Sequence, residues 1–348
     1  MNKTKKFQEY LTNQKLDAFL VMTRINRQYL SGFTGSAGYL FITPKFARLY
    51  VDSRYLLRAK KETEFAVFHL DKLLPQINKL KKIGIEDRIS LAEFKSLKKF
   101  KGVTWVATTD VVEKLRAEKT ASEIKLLDKG SFIIDTTFRS IQKLLKKKKS
   151  ITEIEIAQLI ERFGKSHGAE GLAFDSIVAW GANAAIPHHF SSSQKIGNNN
   201  FLLLDFGMKV GDMHSDFTRT LFIGKPSGVQ KKIYHTVLEA QERAIGKIEI
   251  GQKAANVDKE ARDFIESQKY GKYFTHNTGH GVGMEIHELP NFSEKSRDVL
   301  QKNMVVTVEP GIYLPKKGGV RIEDMVLVGS ESKIFSTIPK DFNDMLIT

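Results

Sequence analysis

Phe201-Leu-Leu-Leu-Asp205-Phe-Gly207 and Ser215-Asp216-Phe-Thr-Arg-Thr220-Leu-Phe-Ile223 are two apolar, strand-forming runs. The first ends in a carboxylate and the second begins with one, and Gly211-Asp212 lies between them as turn material. Pairing about a turn near residues 210–211 sets Asp205 opposite Asp216 on one face, where cross-strand partners lie about 5 Å apart. The pattern recurs in Val305-Val-Thr-Val-Glu309-Pro-Gly-Ile-Tyr313 and Val320-Arg-Ile-Glu323-Asp-Met-Val-Leu-Val328, joined through Lys316-Lys-Gly-Gly319. Pairing about residue 316 sets Glu309 opposite Glu323. Two acidic hairpins of this kind read as a duplicated unit.

Four carboxylates on apolar strands are expensive to bury, because desolvation and mutual repulsion each oppose ionisation. Arg219 and Arg321 offset part of this and are too few to balance all four. A pair of divalent cations neutralises such a set. Between the hairpins lies Thr278-Gly-His280-Gly-Val-Gly-Met-Glu-Ile-His287-Glu288, whose two histidines, seven residues apart, are each able to complete a metal shell. Oxygen-rich donors with one imidazole favour Mn²⁺, Co²⁺ or Zn²⁺ over thiophilic ions. Paired ions activate water and polarise a carbonyl, so the expected chemistry is hydrolysis.

Outward from the hairpins, Thr120-Ala-Ser-Glu123 and Thr152-Glu-Ile-Glu155 match the capping box. They predict helices over about 121–147 and 153–166, the first with Ile124, Leu127, Ile134, Phe138, Ile141 and Leu145 on an approximate stripe. Two more helices are expected at about 227–247 and 256–268. Between residues 5 and about 112 the pattern is α/β, with a helix at 5–15 and strands from Ala18 to Met22, Gly38 to Thr43 and Ala47 to Asp52. The expected organisation is an α/β first domain, residues 1–118, and an α+β second domain, residues 119–348.

The 348 residues suffice for two domains with their own cores. The absence of cysteine excludes disulfide scaffolds, thiolate nucleophiles and Cys-ligated metal, and suits a reducing compartment. No run reaches the roughly 20 apolar residues of a spanning helix, and the opening residues carry no apolar run of signal-peptide length. The expectation is a cytoplasmic protein with no membrane association. The formal charge of +15 is diffuse. Its densest block, Lys146 to Lys149, falls at a predicted helix end, where cations complement the helix dipole, so nucleic acid is not the expected partner.

Asp205-Phe-Gly207, Ser215-Asp216-Phe-Thr-Arg-Thr220, Gly279-His280-Gly-Val-Gly283, Ile286-His287-Glu288, Val308-Glu309-Pro-Gly311 and Arg321-Ile-Glu323-Asp324 together resemble, in order, the motifs of the metallopeptidase family that contains aminopeptidase P, prolidase and methionine aminopeptidase. The resemblance implies the pita-bread fold for the second domain. It also implies Asp205, Asp216, His280, Glu309 and Glu323 as ligands of two divalent ions, with Asp216 and Glu323 bridging them. Mn²⁺ is the expected metal, with Co²⁺ or Zn²⁺ as alternatives. Glu309 is, by the same resemblance, the general base. Gly181-Ala-Asn183-Ala-Ala-Ile-Pro187-His188-His189 resembles the segment that brings a histidine to the substrate; the spacing from Asn183 selects His188, with His189 its rival. His287 is implied as a stabiliser of the tetrahedral intermediate and Arg321 as electrostatic support for the ligands. Asn277 and Met213 depart from the family pattern without removing a ligand.

In the first domain, Asn26-Arg-Gln-Tyr29-Leu-Ser-Gly32-Phe-Thr-Gly35-Ser36 and Val51-Asp52-Ser-Arg54-Tyr55 resemble the creatinase-like amino-terminal domain shared by aminopeptidase P, prolidase and creatinase. Methionine aminopeptidases generally lack it, and creatinase works without metal. The implied activity is cleavage before proline, a tertiary amide with no N–H. Aminopeptidase P is the first expectation, prolidase acting on Xaa-Pro dipeptides the alternative, and an inactive peptide- or nucleic-acid-binding relative the third reading. A proline-containing peptide is the expected substrate, and a homodimer the expected assembly.

Overall fold

The computed structural model describes residues 3–147 and 150–348. The chain divides into two compact units, Met1–Arg116 and Ala117–Thr348. Of the basic block, Lys148 and Lys149 lie outside the described residues; Lys146 caps the helix that ends at Leu145.

The first unit is α/β. Its six-stranded mixed sheet runs in the order Ala66–His69, Ala47–Val51, Tyr39–Ile42, Ala18–Val21, Lys82–Glu86, Thr104–Thr108. Ala18–Val21, Tyr39–Ile42 and Ala47–Val51 are the strands expected from the sequence; of the other three, the edge strands Ala66–His69 and Thr104–Thr108 are partly exposed throughout, and Lys82–Glu86 is buried at four of its five residues. Phe41, Tyr50, Ile83, Ile85 and Leu97 are among the residues that close its core. The motif around Asn26 has a structural meaning. The guanidinium of Arg27, buried, donates to the carbonyls of Gly38 at 2.7 Å, Gly35 at 2.6 Å and Met22 at 3.3 Å, pinning the connection between the helix Arg24–Ser31 and the next strand.

The second unit is α+β and holds the large core. Both expected capping boxes form. The Thr120 hydroxyl accepts from Glu123 N–H and the Glu123 carboxylate from Thr120 N–H, and Thr152 and Glu155 do the same. Caps of this kind are worth about 1 kcal/mol each. They start the helices Ala121–Leu145 and Glu153–Ser166, and two further helices are Gly228–Ile245 and Ala254–Ser267. The four-stranded sheet runs in the order Leu346–Ile347, Thr218–Ile223, Asn200–Asp205, Ile177–Trp180. The five-stranded sheet runs Glu288–Phe292, Gly279–Gly281, Val305–Val308, Asp324–Leu327, Lys333–Ile334.

The two hairpins are present, with one correction of register. Asp205 pairs with Thr218, not with Asp216, and Lys209 pairs with His214, so the turn is Gly211-Asp212 rather than 210–211. Gly211 takes the φ of +59° that this tight turn requires. Moving the turn by one residue displaces the register by two, an even number, and strand side chains alternate faces with period two. Asp205 and Asp216 therefore share a face as diagonal neighbours. In the second hairpin Gly311 pairs with Arg321 and Val308 with Asp324. That is the expected register about residue 316, with Glu309 and Glu323 in the gap where the chain passes between two sheets.

Candidate metal centre

The hairpins are stitched together by their threonines. Glu323 N–H donates to the Thr218 carbonyl at 3.0 Å, the Thr218 hydroxyl donates to Glu323 Oε2 at 2.7 Å, and Arg321 N–H donates to Thr220 Oγ1 at 3.1 Å. Alternation then decides the two arginines. Arg321, on the same face as Glu323, reaches across to the Asp205 carboxylate and to Tyr313 Oη at 2.8 Å. Arg219 points to the other face, where it pairs with Asp324 at 2.6 Å and donates to the Glu323 carbonyl at 2.6 Å. Of the two arginines, Arg321 offsets the charge of the four acids; Arg219 instead holds the backbone that carries one of them.

His280 comes from the strand Gly279–Gly281. A side chain at either flanking glycine would place Cβ about 2.0 Å from a neighbouring carbonyl, of Thr307 at Gly279 and of Leu289 at Gly281, so only glycine lets the strand pack this closely. The His280 Nδ1–H donates to the Gly281 carbonyl at 3.0 Å, which directs Nε2 toward Glu309 Oε1 at 3.2 Å and Asp216 Oδ2 at 3.8 Å. Asp216, His280 and Glu323 each offer a ligand atom, all within 4.8 Å of one another, and all three residues are buried. Asp205 and Glu309 flank this trio, the first gripped by Arg321 and the second by His280.

The electrostatics describe a site short of positive charge. Burial first, and then the neighbouring carboxylates, push Asp216 and Glu323 well above the usual carboxylate range; Asp205 is raised by burial despite Arg321. Asp205 Oδ1 and Glu323 Oε1 are buried with no hydrogen-bond donor. For His280 and Glu309, burial favours the neutral forms, but their mutual contact wins. His280 rises to about 9 and Glu309 falls to about 2, so an imidazolium is the local cation. Orphaned carboxylate oxygens facing one another beside an imidazole are the donor set of a hard or borderline divalent ion, and the residues present fit such a group.

A cavity of about 850 Å³ opens onto these groups. Asp205, Asp216, His280, Glu309, Arg321 and Glu323 line its floor, together with His188 and His287. The His287 ring lies 4.3 Å from that of His280, centroid to centroid, and burial followed by that neighbour's charge lowers its pKa. His188 and His189 both border the cavity but differ in what they touch. His189 Nε2 is bound to buried Glu153 at 2.9 Å, whereas His188 is exposed to the cavity.

The profile of Metallopeptidase family M24 matches residues 125–330, and that of the Creatinase/Prolidase N-terminal domain matches residues 3–117. The chain belongs to metallopeptidase family M24. It is similar to a Pyrococcus horikoshii protein named Xaa-Pro dipeptidase, 37% identical over 332 residues and covering 94% of each chain. Among solved structures it superposes on an Xaa-Pro dipeptidase from Bacillus anthracis with a TM-score of 0.93, at 36% identity over 99% of both chains. It also superposes on an X-Pro aminopeptidase from Thermotoga maritima with a TM-score of 0.89, at 35% identity over 100% of both. The fold is accordingly a creatinase-type amino-terminal domain followed by a pita-bread catalytic domain, and the chain is a metallo-exopeptidase. Among the described residues no helix is long and apolar enough to cross a membrane.

Two site residues escaped the sequence reading. His276 Nδ1–H donates to the Asn277 carbonyl at 2.7 Å, so its Nε2 accepts from the Tyr313 hydroxyl at 2.8 Å, and Tyr313 Oη in turn accepts from Arg321. Burial keeps His276 neutral and pushes Tyr313 up to about 12, as this chain of donors requires. The only sequence signals were the four-residue spacings from His276 to His280 and from Glu309 to Tyr313. Neither is distinctive in strands and loops.

Proposed function

We propose that this member of family M24 is an Xaa-Pro dipeptidase in which Asp205, Asp216, His280, Glu309 and Glu323 would hold two divalent ions. The observation that carries the ligand assignment is the convergence of buried carboxylates at the floor of one cavity, with Asp205 Oδ1 and Glu323 Oε1 left without a donor. The first expectation from sequence was aminopeptidase P. The names of several close relatives favour the dipeptidase alternative, and the likeness to the Thermotoga maritima X-Pro aminopeptidase supports the longer-substrate enzyme as the second reading. Mn²⁺, a cytoplasmic location, a homodimer and a domain boundary at 118/119 belong to the same proposal; the cysteine-free composition supports the reducing compartment.

When bound, the ions supply Lewis acidity and a deprotonated water at neutral pH. The side chains do the rest. Glu309, ionised beside His280, would take a proton from water and deliver it to the proline nitrogen as the C–N bond breaks. That nitrogen carries no hydrogen in the substrate, so it must be protonated to leave. His287, held neutral, donates toward the developing oxyanion, and His188 binds the substrate from the opposite loop. Arg321 fixes Asp205 through one arm and Tyr313 through another, tying the candidate ligand to the hydroxyl that donates to the cavity-lining His276.

The test is hydrolysis of matched Xaa-Pro and Xaa-Pro-Xaa peptides by metal-stripped protein re-supplied with Mn²⁺, Co²⁺ or Zn²⁺. Metal-dependent cleavage of the dipeptide alone is expected. Efficient cleavage of the tripeptide makes it an aminopeptidase P, and turnover of neither overturns the Xaa-Pro reading.

A further inference from the structure

His188 sits in a stretch with almost no regular structure. The strand Ile177–Trp180 ends, a single 3₁₀ turn spans Gly181–Ala185, and the chain then runs through Pro187, His188 and His189 to Ser192. Loops of this kind are the mobile parts of a protein unless something ties them down. Here one carboxylate does so. Glu153, the first residue of the helix Glu153–Ser166, is fully buried. Its Oε1 accepts from Trp180 N–H at 2.7 Å and from the Asn183 amide at 2.8 Å. Its Oε2 accepts from His189 Nε2 at 2.9 Å, from Ser192 N–H at 3.0 Å and from the Ser192 hydroxyl at 2.7 Å. The donors come from both sides of His188, two before it and three after it. The helix backbone adds to the clasp, with Glu153 N–H donating to the Gln194 carbonyl and Ile154 N–H to the Ser192 carbonyl, both at 3.0 Å.

We propose that Glu153 is a positioning residue for hydrolysis, aiming His188 into the cavity by holding the segment Trp180–Ser192 at both ends. This rests on the functional reading above. His189 is thereby assigned to the clasp rather than to the substrate, since its ring is spent on Glu153. The Pro187 carbonyl, one residue before His188, accepts from Arg321 at 3.3 Å, so the loop is braced toward the metal floor as well. Burial raises the pKa of Glu153, but the donors of Ser192, Asn183, His189 and Trp180 outweigh it and the net shift is downward, which keeps the acceptor ionised at neutral pH. An ionised acceptor with five donors is rigid, and rigidity at the second neighbour of a reacting group is what placement demands. A displacement of about 1 Å is able to lower a rate by about 10²-fold.

The decisive variant is Glu153→Gln in the full-length, metal-loaded protein. Glutamine replaces one oxygen with an NH₂ group, so at least the two donors on one side lose their acceptor. On an Xaa-Pro dipeptide, kcat/KM is expected to fall about 10- to 100-fold with metal content unchanged by elemental analysis. In a His188→Ala background the same change should add less than about twofold, because there is no longer a ring to aim. An unchanged kcat/KM, or a full additive loss in that background, overturns the proposal. Asn183→Ala and Ser192→Ala each remove one donor without touching the carboxylate, and they carry the same cycle if Glu153→Gln does not fold. A few-fold loss that vanishes without His188 is expected, and no loss in either overturns the proposal. A readout independent of turnover is the nitrogen-15 spectrum of labelled histidines in the metal-free protein. Glu153→Gln, or the donor variants in its place, should move the His188 resonances together with those of His189, and an unmoved His188 overturns the clasp. If wild type hydrolyses no Xaa-Pro peptide, the functional reading fails and this spectrum still decides the positioning role.

Discussion

Glu153 and the Asp216–Glu323 pair are buried carboxylates of one domain with opposite electrostatic characters. Glu153 meets five donors, and its pKa ends below the ordinary value. Glu323 meets one side-chain donor, the Thr218 hydroxyl, and leaves Oε1 with none; Asp216 accepts only the N–H of its own neighbour Phe217, and both are raised well above the ordinary range. Burial raises all three; at Asp216 and Glu323 the neighbouring carboxylates add to it, whereas at Glu153, with no acidic neighbour among the causes, the donors outweigh it. A carboxylate supplied with donors organises the chain around it. Carboxylates deprived of donors and set facing one another are built to receive a cation, and without one they destabilise the fold that contains them.

The largest effects should come from removing the under-supplied acids. Asp216→Asn or Glu323→Gln should lower Xaa-Pro hydrolysis by about 10³-fold or more, since several kcal/mol of transition-state stabilisation go with the metal. The same variants should melt higher than wild type in a chelator, because a repulsive buried charge has gone. Added Mn²⁺, worth about 2.7 kcal/mol to wild type at 100 times its Kd, should no longer raise their Tm. A chelated variant that melts lower than wild type would break the contrast.

Next comes Glu153→Gln, where the sign reverses. Two or more charge-assisted hydrogen bonds lost at about 1.5–3 kcal/mol each should destabilise the protein by about 3 kcal/mol or more in urea, with and without metal.

The two regions should also respond oppositely to pH. Glu153 binds its proton more weakly when folded, so its stabilisation is complete above its ordinary value of 4.5 and is lost as pH falls below that. Asp216 and Glu323 bind protons more tightly when folded, so their contribution worsens as pH rises from about 4. His280, raised to about 9, adds stability below 6.5 that disappears as pH climbs toward 9. Metal-free wild type should therefore be less stable at pH 8 than at pH 5 in urea titrations, and the Asp216→Asn/Glu323→Gln double variant should show a shallower fall. The smallest effect is that of Ser192→Ala, one donor of five on Glu153, at about 1.5 kcal/mol with Tm lowered in both metal states.

Much of this was legible in the sequence for local reasons. Capping boxes at Thr120 and Thr152 are decided within four residues, and both form. The Gly211-Asp212 and Lys316-Lys-Gly-Gly319 turn signals and the apolar runs announced the two hairpins. The shared face of Asp205 and Asp216 survived a register wrong by two, because alternation depends only on parity. The edge strands Ala66–His69 and Thr104–Thr108 of the first domain were not legible: partly exposed throughout, they lack the continuous apolar run that marks the equally short inner strands.

The amino-acid order by itself determined which chemistry the chain carries, because four acids, an imidazole and their apolar settings are written into strands whose period places them on known faces. What only the tertiary structure decided is which group answers which. Arg321 meets Asp205 while Arg219 turns to Asp324; His189 closes on Glu153 while His188 is left to the cavity; Tyr313 and His276 meet at the wall. These pairings join residues up to 116 positions apart, and no local preference encodes them. They follow from the crossing of two hairpins and one helix start in space, where each buried polar group takes the nearest partner that the packing leaves within reach.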